Sequence, residues 1–286
     1  MPHKIPIKNS LITAHVNPDG DALSCIKAVS EYLTDHSKLT AIRVNGTIPN
    51  YLQWIVSNET TTTDIPPWVE QVIVLDSEPT PKRLGWEIPA NLPIVNIDHH
   101  IHRIEHHNPD NNVFVFDSCS VAAALILNFN IVNPILIVGL YTDTLFSRKW
   151  SELLKCFNKL QVSDEDEQFY INSIRPKNDK RTTEAVRKSK VKYYANGFAY
   201  VTVKETDYGV LEEVMRFFHR FNESVCLVSG DGVVKLRTDG KSMNVAKIAE
   251  ELSGGGHHFA AQCSIASDDD EKKLVSLVRA AKPLEE

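Results

Sequence analysis

The sequence predicts an α/β fold: a mostly parallel sheet with helices on both faces, followed by a smaller α/β unit. Three observations carry this. Short apolar runs alternate with segments of helical period through the first half, the pattern of strands joined by crossover helices. The composition changes near Asp164, where an acidic run gives way to a basic one. The chain has 286 residues, 42% of them apolar and 24% charged, so it can bury a sizeable core and is not a disordered polymer. At about 150 residues per domain, that length suggests two domains or one large α/β domain.

Taken in order, Ser10 to Val16 reads as a strand and Asn17-Pro18-Asp19-Gly20 as a turn. Ala22, Leu23, Ile26, Val29 and Leu33 follow at helical spacing. Ile42 to Ile48, Gln71 to Leu75, Pro93 to Ile97 and Val113 to Phe116 are further β-like runs. Ser120 to Phe129 reads as a buried helix, while Ile135 to Tyr141 fits either a strand or a helix. After the acidic run Asp164 to Glu167, Lys177 to Lys192 carries seven basic residues, and a linker with a helix of open extent is expected there. Beyond Gly197 come a strand (Phe198 to Val203), a helix (Val210 to Phe221) and a hairpin turning at Gly230-Asp231-Gly232. A helix (Asn244 to Leu252), a triple glycine, a short strand and a last amphipathic helix (Lys272 to Ala281) complete the chain. The expected division is therefore a first domain over 1–155, a linker over 156–192 and a second domain over 193–286.

Composition also narrows the function. A net charge of −6 argues against binding duplex DNA through a broad basic face, although a few cations or metals could still hold a small acidic phosphate. The five cysteines are scattered and never form a CxxC pair, which favours a reducing compartment over a disulfide framework or a thiolate zinc site. The first ten residues contain no apolar signal core. The most apolar stretch, Ser120 to Phe146, is interrupted by Asn128, Asn130, Asn133, Pro134 and Asp143, and so reads as buried structure and not as a membrane span. The expected location is the cytoplasm.

Four places end an apolar run in residues able to bind metal. The first is His15-Val16-Asn17-Pro18-Asp19-Gly20-Asp21. Capping of the following helix explains one of its carboxylates, but not a histidine and two carboxylates converging on one strand end. The second is Asp76, closing the run from Val72, and the third is Asp98-His99-His100. Paired histidines alone say little, because five of the eleven histidines crowd into His99 to His107. The fourth is Asp143, after the run ending Leu140-Tyr141-Thr142. Oxygen and imidazole ligands without sulfur suit Mn²⁺, Mg²⁺ or Zn²⁺ in a hydrolytic two-metal site.

In order, HxNPDGD, an Asp at a strand end, DHH and an Asp within GLYTDT resemble the DHH phosphoesterase superfamily over about the first 150 residues. The resemblance implies one metal held by His15, Asp19 and Asp76. A second would be held by Asp21, Asp76, His99 and Asp143, with Asp76 bridging. It further implies attack on phosphorus by a water or hydroxide shared between the metals. His100 would contact the phosphate or leaving oxygen, and Asp98 would orient the histidines. Two divalent ions are the implied cofactors, Mn²⁺ first, with Mg²⁺ or another divalent ion as alternatives. Asn17 is a further candidate, through its amide.

In the second half, Val234-Lys235-Leu236-Arg237-Thr238 and Gly254-Gly255-Gly256-His257 stand out. Three glycines after a helix allow close backbone approach and can cradle an anion, though they also suit a helix C-cap. Arginine is well shaped for bidentate phosphate recognition. KLRT followed by GGGHHFAAQ resembles the DHHA1 domain from about Phe198 to the C-terminus. This implies that Arg237, Gly254, Gly255, Gly256 and His257 bind the distal phosphate or base of a substrate. Thr238, Gln262 and the Thr-Leu-Phe-Ser-Arg stretch after Asp143 depart from the family pattern and leave the substrate preference open.

The expected activity is a manganese-dependent phosphoesterase resembling the branch that holds nanoRNases and phosphoadenosine-phosphate phosphatases. Its substrates would be very short RNA, linear dinucleotides such as pApA, or 3′-phosphoadenosine 5′-phosphate. A cyclic-dinucleotide phosphodiesterase, a polyphosphatase or a RecJ-like single-strand exonuclease on the same scaffold are the alternatives, with Phe259 a candidate for base stacking. The modest basic content gives little sign of a track for long strands. A nucleotide-binding regulator without catalysis is the reading from a different class, and the full set of ligand positions argues against it. The expected partner is short RNA or a small nucleotide, neither duplex DNA nor a membrane, with a homodimer left open.

Overall fold

Most strands of the first sheet are apolar runs buried on both faces, as parallel sheets require. The computed structural model describes residues 2–100, 111–144, 151–174, 180–219, 221–238 and 243–282. The chain divides into two units, Met1–Arg175 and Pro176–Glu286.

In the first unit, β1 (Ser10–Thr13), β2 (Thr40–Arg43), β3 (Gln71–Leu75), β4 (Ile94–Asp98) and β5 (Asn112–Val115) form a sheet ordered β2-β1-β3-β4-β5. All four pairings are parallel. This order reverses direction between β1 and β3, and ligands of such sheets sit beyond the carboxyl ends of the strands at that switch point. Helix α1 (Gly20–Asp35) starts at Asp19, whose carboxylate accepts the Ala22 N–H at 3.1 Å. It packs with α3 (Val121–Asn128), α4 (Leu136–Asp143) and α5 (Ser151–Leu160) on the face bearing Ile12, Ile73, Leu75 and Ile97. The opposite face, with Leu11, Val72 and Val74, is covered by Leu84 of the short helix α2 (Pro81–Leu84) and by Val69 and Trp86. Helix α6 (Asp164–Ile174) completes the unit.

The ambiguous run Ile135 to Tyr141 is helical: α4 is apolar all round because it is buried between α1 and α3. The 156–192 segment holds the second half of α5, all of α6, and α7 (Lys180–Lys188), and its last residues belong to a strand, β6 (Lys190–Tyr193). Helices α5 and α6 fall within the first unit.

The second unit has a six-stranded sheet ordered β10-β11-β9-β8-β7-β6. It comprises β6, β7 (Phe198–Thr202), β8 (Ser224–Val228), β9 (Val233–Thr238), β10 (Gly255–His257) and β11 (Ala260–Ser264), and only β7 and β8 pair in parallel. Helix α8 (Tyr208–His219) covers Ala199, Val201, Val225 and Leu227. Helices α9 (Val245–Glu250) and α10 (Asp268–Ala280) cover the opposite face, with Phe198, Cys226, Val234 and Leu236. Two of the three consecutive glycines, Gly255 and Gly256, are strand residues. Gly254 N–H closes α9 by donating to the Ala249 carbonyl at 2.8 Å, after Ser253 at φ 59°.

Candidate metal centre

Each metal-competent side chain of the first half follows a strand end or sits at a helix end beside the switch point. Val16 N–H donates to the Arg83 carbonyl of α2 at 2.8 Å, and Asp76 N–H to the Ile97 carbonyl at 3.0 Å, which extends the β3–β4 pairing past the end of β3. Asn17 and Asp76 both hold left-handed backbone, φ 56° and 54°, a region that Asn and Asp tolerate better than most residues. Asn17 Oδ1 accepts the Thr47 N–H at 2.8 Å, so this part of its amide ties the loops after β1 and β2 together.

The side chains converge in two overlapping groups. Ligand atoms of His15, Asp19 and Asp76 lie within 4.8 Å of one another, as do those of Asp21, His99 and Asp143. Asp76 connects the groups: its Oδ2 is 3.6 Å from His15 Nε2 and its Oδ1 is 3.3 Å from His99 Nε2. His99 Nε2 also lies 3.2 Å from Asp143 Oδ2. In both histidines Nδ1 is committed to a backbone carbonyl, Val16 at 3.0 Å for His15 and Ser118 at 3.1 Å for His99. That bond fixes the tautomer and turns Nε2 toward the carboxylates, as in histidines that bind metal.

Asp98 plays a different part. Its Oδ1 accepts the N–H groups of His99 and His100, at 2.8 and 3.1 Å, and pairs with His100 Nδ1 at 2.7 Å. It is buried, and its bonds hold the backbone of both histidines and the ring of His100.

The donor set and its electrostatics fit divalent cations. Asp76 Oδ1 is buried and, among the described residues, makes no aligned hydrogen bond despite its nearby histidine. Asp143 lies at the C-terminal end of α4, where the helix dipole disfavours an anion. Burial, with repulsion from Asp76 and Asp143, raises Asp19 to about 6 against the pull of His15. Burial and the same two neighbours push Asp21 well above the carboxylate range. Burial opposes charge on His15, yet Asp76 and Asp19 raise it to about 9. His99 is likewise raised despite its burial, by Asp143 and Asp76. Asp76 is held well below its usual range, because His15, His99 and His100 outweigh its burial. Crowded carboxylates that must hold protons in place of a counter-charge are the condition a bound cation relieves.

Sequence reasoning missed the supports. Asp21 is fully buried, and its two oxygens accept the N–H groups of Val121 and Ala122 at 2.6 and 3.0 Å, at the start of α3. The turn before α3 is held from α5: Ser118 Oγ and Cys119 N–H donate to the two oxygens of Glu152, at 2.7 and 2.9 Å. Gly139 of α4 packs directly on Asp21, and Gly20 packs on Thr142. Only the two glycines carried any sequence signal, by standing inside the motifs.

In the second unit, Arg237, Ala260 and His257 are register neighbours across β9, β11 and β10. Arg237 Nε is buried and, among the described residues, has no hydrogen-bond partner. Beside it on β9, Lys235 is 1% exposed and pairs with Glu212 of α8. The rings of His257 and half-buried Phe259 stack at 5.3 Å and 9°. Gly255 has open space where a side chain would be, whereas a Cβ on Gly254 would meet Cys263 Cα at 2.7 Å. The remaining histidines of the 101–110 stretch, and most of the divergent loop after Asp143, lie outside the described residues.

Residues 9–154 match the DHH family, N-terminal domain, and residues 195–282 match the DHHA1 domain. Among solved structures, the chain is similar to an exopolyphosphatase-related protein from Bacteroides fragilis. The identity is 17% over 94% of this chain and 92% of that one, with a TM-score of 0.71. It is also similar to a DHH domain from a protein described as a member of a ribosomal protein family. There the identity is 16% over 96% and 87% of the two chains, with a TM-score of 0.54. At such identities the likeness is one of fold. No curated protein matches the sequence significantly.

Proposed function

The chain belongs to the DHH family of phosphoesterases, and from that premise we propose that it hydrolyses very short nucleotides: nanoRNA, linear dinucleotides such as pApA, and 3′-phosphoadenosine 5′-phosphate. The observation that supports this most is the convergence of six ligand-type side chains at the switch point of the sheet. His15, Asp19 and Asp76 would hold one divalent cation. Asp21, His99 and Asp143 would hold a second, with Asp76 shared. Mn²⁺ is the first choice for this oxygen and imidazole set, with Mg²⁺ the alternative. Bound there, two such ions would polarise a phosphoryl oxygen and lower the pKa of water.

The chain's own residues do the rest. Asp98 holds His100 by Nδ1, so that the imidazole contacts the phosphate or the leaving oxygen through its other nitrogen. Arg237, with His257 and the backbone of Gly254, Gly255 and Gly256, binds the distal phosphate or base, and the planar guanidinium suits a phosphate. We place the enzyme in the cytoplasm, because all five cysteines are free thiols. Among the described residues no helix is long and apolar enough to cross a membrane. Short RNA or a small nucleotide is its partner, in preference to duplex DNA.

The test is Mn²⁺-supported turnover on one panel: pApA, a five-nucleotide RNA, a long single strand, phosphoadenosine phosphate, cyclic di-AMP and polyphosphate. Preference for the short linear nucleotides supports the proposal. Preference for the long strand, the cyclic dinucleotide or polyphosphate keeps the metal chemistry and overturns the substrate class. No turnover on any of them overturns both.

A further inference from the structure

One short turn supports half of the ligand cluster. Ser118 offers its carbonyl to His99 Nδ1 at 3.1 Å, and two residues later Ser120 caps α3, accepting the Ala123 N–H at 3.0 Å. The next two amides, Val121 and Ala122, grip both oxygens of Asp21. The turn 118–122 therefore sets the angle of one imidazole and one carboxylate of the same group, Asp21, His99 and Asp143. Residues of the other group rest elsewhere: His15 on its neighbour Val16, and Asp19 on the first turn of α1.

That turn is anchored by one side chain from a distant part of the sequence. Glu152, in the first turn of α5, accepts the Ser118 hydroxyl with one oxygen and the Cys119 amide with the other. Ser118 and Cys119 bracket the carbonyl that His99 uses. Both bonds are charge-assisted, and the bidentate grip fixes a direction as well as a distance.

We infer that Glu152 is a positioning residue for the second cation position, acting on Asp21 and His99 through the 118–122 turn. Its two oxygens go to Ser118 and Cys119, and it is not among the grouped metal-ligand candidates of the described residues. An ordinary first-turn acid would favour α5 through its dipole and nothing more. Glu152 instead spends both oxygens on another segment. Groups that orient ligands in this way typically change metal affinity about 10–100-fold when altered.

The inference rests on the two-cation reading, and the test separates the two. Mn²⁺ binding to metal-free protein is measured by titration calorimetry on the parent, E152Q and S118A, alongside the melting temperature without metal. Glutamine keeps the size of the side chain but has only one acceptor oxygen, so one of the two bonds is lost. The expected result is two sites in the parent, with one weakened at least about tenfold in E152Q and the other unchanged. S118A, which removes the hydroxyl bond alone, weakens the same site by less, and it carries the test if E152Q does not fold. Lower melting temperatures with both affinities unchanged would make Glu152 a purely structural contact and overturn the inference. So would an equal fall at both sites. A parent that binds fewer than two ions overturns the two-cation reading and this inference with it.

Discussion

Gly139 offers the most direct trial of how the ligand cluster is packed. It lies on α4, and its missing side chain is what admits the Asp21 carboxylate. In G139A the new methyl would run into Asp21 Oδ1 and would stand 2.8 Å from both the Ala122 Cβ and the Ser24 Oγ. Carbon atoms rest at about 3.5–4.0 Å, so the neighbours must yield by about 1 Å. All three neighbours belong to helices α1 and α3, and Asp21 is itself tied to α3 by two amides. Alanine is the better helix former by about 1 kcal/mol, while overpacking costs about 1–3 kcal/mol. The net loss of stability is therefore small, between nothing and about 2 kcal/mol. Activity should suffer far more, since displacing a working group by about 1 Å costs about 10²-fold. Initial rates on pApA with saturating Mn²⁺, set against melting without metal, measure the two effects separately. A G139A protein with the parent's rate would refute the claim that Asp21 must sit where α4 leaves room for it.

Three other outcomes are expected. Glu212 is nearly buried and held at about 2, below its ordinary 4.5, because Lys235, Arg237 and Arg216 outweigh the burial that opposes its charge. A depressed acid stabilises the fold above its unfolded value and loses that contribution as pH falls, here about 3 kcal/mol at pH 7 and about 1 kcal/mol near pH 3. Urea unfolding of E212Q should show that narrowing gap from the parent, and an equal deficit at both pH values would contradict it. D76A should abolish turnover in the Mn²⁺ assay, and full activity in that variant would sink the shared-ligand assignment. R237A should mainly raise KM and blur the preference for short substrates, so an unchanged length profile would remove Arg237 from substrate binding.

The metal-competent residues were legible because a parallel sheet delivers every strand end to one edge. A polar residue that closes an apolar run is then placed by topology alone, as with His15, Asp76 and Asp98. The run before Asp143 was less clear, because an unbroken apolar stretch has no period to separate strand from helix. Burial between α1 and α3 makes it α4. Residues 190–192 read as connector because they end the basic run from Lys177, yet lysine is what an exposed edge strand carries. Gly255 and Gly256 offered no side-chain pattern, and only pairing with Ala261 and Gln262 draws them into a strand. Glu152 could not be found by reading along the chain. Its meaning lies in a contact with Ser118, 34 residues earlier.

The crowded carboxylates have a practical consequence. The cluster raises His15 to about 9 and Asp19 to about 6, and lifts His99 and Asp21 well above their ordinary values. Filling the proposed centre would thus exchange protons for cations, with acidity as a competing ligand. Two batches of one enzyme, prepared at pH 6 and pH 8 in the same trace of manganese, would differ in occupancy before any substrate was added. A pH–rate profile recorded at limiting metal would then trace the filling of the site, and only saturating metal would reveal the chemistry beneath it.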